Sequence, residues 1–459
     1  MIFSLFSTFI NCFKIPELKS RVLFTLLLLA ICRLLSVITV PGLDGSALAQ
    51  YFQKAGQGEG GGILGMYSMF TGGALEHCAV AALGIMPYIS ATIIIQLLTA
   101  VVPQLSKLAR EEGGRPRLVQ YGRYLTLVLC LGQGFVMALG WENAGKIFQG
   151  FEGNLVLYEN IWWYRIQTTL VLSTGTLFLM WLGEQITERG IGNGVSLVIT
   201  IGILARLPAA VRGLSDTFIS HGDLGPTMNL GHGLVLVALL LVVVAGVVAI
   251  TQAQRKIPVQ YAQRAVGRRV YGGGTSFLPL RVNYAGVMPI IFAGAILMFP
   301  SMIFQSLYAN TQIGIFRDIY SILQEQSFWY NLVYGLMIMF FSYFWVATQF
   351  NELQIADDLK KNGGYIPGVR PGQATSAYLH NSMHRITLAG ALFLTVIAII
   401  PNFLYRTMGI PYAVAQFFGG TSLLITVGVL LDTMRQMESH LLMRHYDGFL
   451  KRGRIKARF

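Results

Sequence analysis

Charge is scarce in this chain. Of 459 residues only 12% are Asp, Glu, Lys or Arg, while 54% are hydrophobic and mean hydropathy is +0.57. Soluble domains carry about 25% charged residues, so this balance excludes a water-soluble globule and leaves a membrane protein. Acids are rarer than bases, 21 against 34, which gives a net charge of +13. Such an excess can mean nucleic acid, but in a polytopic protein it collects in cytoplasmic loops, so its placement decides. Cysteine is sparse too: Cys12, Cys32, Cys78 and Cys130 form no C-x-x-C and sit mostly within apolar runs, as space-filling free thiols do.

The groups a catalyst needs are missing as well. There is no Ser/His/Asp order, no Walker lysine motif and no pair of intramembrane carboxylates. The run "GQGEGGG" contains G-x-G, but no strand precedes it, which argues against a nucleotide loop. His380 and His384 have the i, i+4 spacing of zinc ligands without a third ligand at a sensible distance. No enzyme activity, metal, cofactor or small-molecule substrate is expected. The amino terminus has its apolar stretch before its lysines, and no small-residue cleavage site follows. A cleaved signal is therefore not expected, and residues 1–20 read as an amphipathic segment on the cytoplasmic membrane surface.

What the chain has in abundance is apolar runs. Stretches of about 20 apolar residues predict transmembrane helices near 21–40, 76–102, 119–140, 162–183, 191–211, 231–251, 284–306, 328–350, 386–404 and 411–434, ten in all. The fifth has the weakest start, because Gly190, Gly192 and Gly194 fall there. Bases concentrate in alternate loops: Lys107, Arg110, Arg115 and Arg117 after the second span; Arg255, Lys256, Arg264, Arg268, Arg269 and Arg281 after the sixth; Lys360, Lys361 and Arg370 after the eighth. The tail ends "KRGRIKARF", and the other loops carry Lys54, Lys146, Arg317 and Arg406. The positive-inside rule then places both termini in the cytoplasm.

Two echoes organise the spans. "GIMPYI" (Gly84–Ile89) lies in the second and "GVMPII" (Gly286–Ile291) in the seventh; "SLVI" (Ser196–Ile199) opens the fifth and "SLLI" (Ser422–Ile425) lies in the tenth. Each motif thus recurs five spans later, and an odd number of helices per copy turns the copies over. The expected fold is all-α, ten transmembrane helices in two inverted five-helix halves, 21–212 and 231–435, with an external linker 213–230, cytoplasmic loops near 252–283 and 351–385, and a basic tail 436–459. Inverted repeats place the functional site near the midplane, where the halves meet.

That midplane is poor in charge. Arg33 and Arg165 lie near span ends, within snorkelling reach of water. Glu184 and Glu188 flank a cytoplasmic turn, and Asp432 and Arg435 sit where the last span leaves the membrane. The echoed segments present isoleucines instead, and a narrow aliphatic constriction blocks ions by expelling water. An ion-coupled secondary transporter shares the repeat, but it needs an intramembrane charge for which there is no good candidate. A purely structural subunit leaves unexplained the glycine-bracketed stretch Gly60–Leu75, whose apolar core is too short to span. Two readings of that stretch stay open: a short helix folded back into an outer funnel, or an amphipathic surface turn.

At "GGALEHCAVAALGIMPYISATIIIQLL", "WLGEQITERGIGNGVS", "LPLRVNYAGVMPIIFA", "GVRPG" and "FFGGTSLLI", from about residue 14 to the tail, the chain resembles the bacterial SecY family, central subunits of the general protein-conducting channel. The resemblance implies an hourglass with a waist ring at Ile85, Ile89, Val195, Ile199, Ile291 and Ile425. It implies a plug at about 62–73 with Ile63, Leu64, Met66, Tyr67, Met69 and Phe70, and a lateral gate of the second and third spans facing the seventh and eighth, with Pro87, Gln96, Pro289 and Phe299. Docking of a ribosome, through its rRNA, or of the SecA motor falls to Arg255, Lys256, Arg264, Arg268, Arg269 and Arg370, although Arg268, Arg269 and Arg370 can simply enforce topology. SecE and SecG, signal peptides, unfolded preproteins and membrane lipids complete the implied partners, and the bacterial cytoplasmic membrane the location. Pro87 and Pro289 are expected to remove a helix hydrogen bond each and permit a bend beside the ring; ordinary kinks are the alternative.

Overall fold

The computed structural model describes residues 15–55, 68, 70–111, 113–147, 151, 153–209, 211–212, 230–261, 264–266, 269–271, 275–324, 327–408, 415 and 420–452. Most of the expected amphipathic start 1–20 and nearly all of the linker 213–230 lie outside these residues, as does the end of the tail.

Helices dominate. In chain order they are α1 Pro16–Leu35, α2 Gly45–Ala55, α3 Met86–Val101, α4 Pro103–Arg110, α5 Gly114–Glu142, α6 Ala144–Ile147, α7 Ile161–Arg189, α8 Gly194–Ala205 and α9 Leu230–Gln252. After four strands come α10 Met288–Thr311, α11 Gly314–Ile322, α12 Phe328–Gln349, α13 Glu352–Lys361, α14 Gln373–Met408 and α15 Thr421–Arg452. A helix falls on each of the ten predicted stretches. Among the described residues, five are long and apolar enough to cross a membrane, and α3 with α4, bent by 104° at their break, makes a sixth if counted as one. Leu23, Leu26 and Leu27 on α1, Leu241 and Val242 on α9, and Leu336 and Phe340 on α12 are exposed. A surface this apolar suits hydrocarbon and not water.

Two of the predicted spans hold unexpectedly short helices. α3 has 16 residues and α8 has 12, about 24 and 18 Å of rise against a hydrocarbon layer of about 30 Å. The second span does not become helical until Met86, and residues 71–85 form turns instead. Gly84 is the reason: its φ of +59° belongs to the left-handed region, and Pro87 at the start of α3 has no N–H to give to a preceding turn. The other hexapeptide repeats this geometry. Gly286 has φ +64°, Ile85 and Val287 are the N-caps at φ −96° and −93°, and the N–H groups of Ile89 and Ile291 close the first turns on Ile85 and Val287. Pro87 and Pro289 therefore do not bend a helix beside the ring, contrary to the expectation; they start one, at a position whose N–H has no helical partner in any case. Prolines do lie inside other stretches of helix, Pro300 in α10 and Pro401 in α14.

Backbone interrupted this way needs other partners. Val40 N–H donates to the Cys78 carbonyl and Val80 N–H to that of Ile38, both at 2.9 Å, so the 71–85 turns pair with the loop after α1. Between α7 and α8, Ile191 N–H donates to Thr25 Oγ1 (3.1 Å), Gly192 N–H to Gln436 Oε1 (2.8 Å) and Gly194 N–H to Thr187 Oγ1 (2.9 Å). The glycine-rich loop that weakens the fifth span in sequence is thus held by α1 at Ile191, by α15 at Gly192 and by α7 at Gly194.

The segment after α9 is extended, which the scan for apolar runs missed. Strands β1 Gln254–Tyr261 and β4 Thr275–Arg281 pair antiparallel from Gln254↔Arg281 to Gln260↔Thr275, and β5 Gly364–Tyr365 adds to the other edge of β1. A short hairpin of β2 Arg264–Val266 and β3 Arg269–Tyr271 lies between them in sequence. Ile257, Val259 and Leu280 point into a second apolar cluster with Ile366, Leu379 and Met383. The main cluster draws on all of the longer helices, α5 through Ala138 and Trp141, and on both echoed motifs.

If Gly286 is there for its left-handed backbone, Gly286→Ala should destabilise the protein by about 1–2 kcal/mol, since a Cβ there meets no neighbour within 4 Å and only the backbone objects. Pro289→Ala should cost less. Apparent melting temperatures of the two detergent-purified variants check the order.

Candidate functional site

The six residues assigned to the ring come from four helix starts. Ile85 caps α3 and Ile89 ends its first turn; Val195 and Ile199 lie in the opening turns of α8, behind the Asn193 cap whose side chain accepts from Ser196 N–H; Ile291 ends the first turn of α10; Ile425 lies early in α15. Ile85, Ile89, Ile199, Ile291 and Ile425 are all buried, at 4% exposure or less, and Val195 is half-buried against them in the main apolar cluster. Two seams join these helices: α3 packs on α10, and α8 packs on α15.

Of the plug residues, Ile63, Leu64, Met66, Tyr67 and Met69 lie outside the described residues. Phe70 is half-buried and lines a cavity with Ile85, Val198, Ile201 and Gly202, so it stands beside one ring member. Along the α3/α10 seam, Pro87 and Pro289 are buried at the two helix starts and Gln96 is half-buried on α3. Phe299 falls near the middle of α10, one residue before Pro300.

Several charges near the span ends are paired. Arg165 forms a bidentate pair with Glu142 (2.9 and 3.0 Å) and stacks over Trp162 at 5.1 Å; Arg123 pairs with Glu184 at 2.7 Å. Arg435 donates to the Thr251 carbonyl at 2.7 Å. One pair escaped the sequence reading altogether: Arg206, at the end of α8, bonds Glu76 and Ser68. Its signal was a lone base in one predicted span and a lone acid in another.

The basic loops share a sheet. Arg255 and Lys256 are exposed on β1, and Gln260↔Tyr365 pairing brings the loop bearing Arg370 beside the same strand. Arg370 is exposed, and its carbonyl accepts from Thr375 Oγ1 at 2.9 Å. Arg264 and Arg269 fall on β2 and β3, and Arg268 lies outside the described residues. His380 pairs with Glu352 at 3.1 Å, and among the described residues no three His, Cys, Asp or Glu side chains gather as a metal site would need.

The SecY family model matches residues 79–434, most of the chain. This chain belongs to the SecY family. The protein translocase subunit SecY of Thermotoga maritima is 42% identical over 458 residues, covering 99% of this chain and 100% of that one. Among solved structures, one described as a protein-conducting channel matches with a TM-score of 0.60 at 18% identity, over 92% of each chain. Sec61 in a canine ribosome–channel complex from the endoplasmic reticulum matches with 0.56 at 17% identity, also over 92% of each. The fold is that of the SecY and Sec61 channels, a multi-pass membrane protein rather than an enzyme.

Because Ile257 is 2% exposed and ties β1 to the second cluster, Ile257→Ala should cost about 2–5 kcal/mol locally. Trypsin should then cut after Arg255 and Lys256 several-fold faster than in the unaltered SecY-family protein, with the rest of the chain resistant.

Proposed function

We propose that this chain is the channel subunit through which unfolded preproteins cross the bacterial cytoplasmic membrane, and from which hydrophobic segments leave sideways into lipid. The observation that supports this reading is that five of the six side chains are buried and all six belong to one apolar cluster, on helices joined in the α3/α10 and α8/α15 seams. Each isoleucine kept from water contributes about 1.5–3 kcal/mol, so an empty passage closes on itself. A threading polypeptide that fills the ring keeps those side chains dry too, and an aliphatic lining has no hydrogen-bond preference. Sequence tolerance follows from both facts.

The sideways exit takes its energy from the passenger. Ten apolar residues at about 0.3–0.6 kcal/mol each supply roughly 3–6 kcal/mol, and about 5.5 kcal/mol moves a two-state gate from mostly closed to mostly open. One charged residue costs about 2.5–3.5 kcal/mol and cancels much of this. Hydrophobic signals would therefore part α3 from α10, while polar chains pass straight through. An ion-coupled transporter is disfavoured, since Arg123, Arg165 and Arg206 are taken up in pairs with Glu184, Glu142 and Glu76.

In this reading the exposed bases on β1 and the Arg370 loop form one docking surface for the ribosome or the SecA motor on the cytoplasmic side, where both termini lie. SecE and SecG would accompany the chain. Signal peptides and lipid meet at the α3/α10 seam, and the residues 62–73 act as the plug.

Reconstitution in liposomes with the motor and an unfolded preprotein tests the whole: protease-protected preprotein is the expected result, and none would overturn the assignment. For the ring, Ile89→Asn combined with Ile291→Asn should let weakly hydrophobic signals through and raise planar-bilayer ion conductance. Wild-type levels of both would remove those residues from the constriction. Charge reversal at Arg370 should weaken motor or ribosome binding at unchanged membrane orientation; intact binding would leave that arginine a topology determinant only.

A further inference from the structure

β4 leads into α10 at one end, and the short helix α11 leaves it at the other. Gln312, the C-cap of α10, has a φ of +52°, and this left-handed residue turns the chain so that α11 begins at once, at Gly314. α11 then runs back beside α10. Phe316 packs on Phe304 with ring centroids 6.2 Å apart, about two turns or about 10 Å short of the end of α10. The side chains of α11 sort by direction. Phe316, Ile319 and Tyr320, spaced i, i+3 and i+4, are half-buried on the side that packs on α10, while Arg317, Asp318 and Ser321 are exposed on the other. Between these two sides, Ile315 and Ile322 form one apolar edge, Ile315 being 67% exposed, and Ile313 is exposed just before the helix. The next span opens with Phe328 and Trp329, both exposed.

We infer that α11 is a lipid-binding surface helix: it lies in the boundary between headgroups and acyl chains, on the side of the membrane away from the basic sheet, with Ile313, Ile315 and Ile322 against acyl chains and Arg317, Asp318 and Ser321 among headgroups. Helices of this kind bury their apolar side about 5–10 Å into that boundary, which is the depth at which Phe316 meets α10. Phe328 and Trp329 mark the same level independently, because aromatic rings collect where membrane meets water. The exposed isoleucines also continue the lipid-facing surface of the two neighbouring spans, where Ile303 and Leu307 of α10 and Leu332, Val333 and Leu336 of α12 are exposed. Charge does not select the lipid, since the one base and the one acid of α11 cancel. The consequence is positional: α11 fixes the depth of the far end of α10. The inference needs only that the chain crosses a membrane, so it stands or falls apart from the channel reading.

Depth-dependent quenching tests it. Ile315→Cys, Ile322→Cys, Asp318→Cys and Ser321→Cys, each combined with Cys12→Ser, are labelled with an environment-sensitive fluorophore in the full chain and reconstituted in phosphatidylcholine vesicles; the buried Cys32, Cys78 and Cys130 stay in place. Nitroxide carried on the lipid acyl chains should quench the labels at 315 and 322 several-fold more than those at 318 and 321, and iodide in the water should reverse that order. Replacing part of the phosphatidylcholine with phosphatidylglycerol should leave the pattern unchanged. Adding Ile315→Asp to the Ile322→Cys protein should move its label toward iodide, since the two share one edge. Equal access of iodide to all four sites would put α11 in water and overturn the inference. Sites 315 and 322 shielded from both quenchers would mean that a protein surface covers them, and acyl-chain quenching seen only with phosphatidylglycerol would mean that charge and not apolar contact seats the helix; either result overturns it too.

Discussion

A chain in hydrocarbon must satisfy its own backbone hydrogen bonds, because no water is there to do it. Unbroken helices meet that constraint without help, and most of this chain is built of them. The places where it breaks off a helix inside the protein are therefore the informative ones. Around residues 71–85 the carbonyls and N–H groups pair with the loop after α1; at 190–194 the donors go to Thr25, Thr187 and Gln436. Interrupted backbone is tolerated at depth only where protein surrounds it. The buried isoleucines Ile85, Ile89 and Ile199 belong to the helices that start after these two breaks.

The two seams tie distant parts of the sequence together in a specific way. Thr25 and Gln436 reach the same short loop from opposite ends of the chain, so α1 and α15 are coupled through residues 191 and 192. On the α3/α10 side the contact is between two helices that begin with the same Met-Pro step. The α1/α15 link is made by directed hydrogen bonds to a glycine-rich loop.

The spans and the alternation of bases were legible because apolar run length and charge placement answer directly to the bilayer. Helix starts were not, since hydropathy carries no backbone information: the window at 76–102 is apolar throughout, although the helix occupies only its second half. The glycine at position 84 and the proline at 87 held that information, as a left-handed residue followed by a helix opener, but proline in an apolar run was read as a kink. The sheet was missed for a related reason. Ile257 and Val259, and Leu278 and Leu280, alternate with polar or exposed neighbours at period two, yet the loop drew attention only for its arginines. The Arg206–Glu76 pair joins charges 130 positions apart, and no local pattern announces a contact of that range. The ring residues were reached by family resemblance and by the echo, and what composition alone supplied was only that they are aliphatic.

The proline at the second position of α3 and α10 has one more effect. The first amide hydrogens of any helix lack a partner within it, and a tertiary amide at that position leaves each of these two buried helix starts one fewer to satisfy.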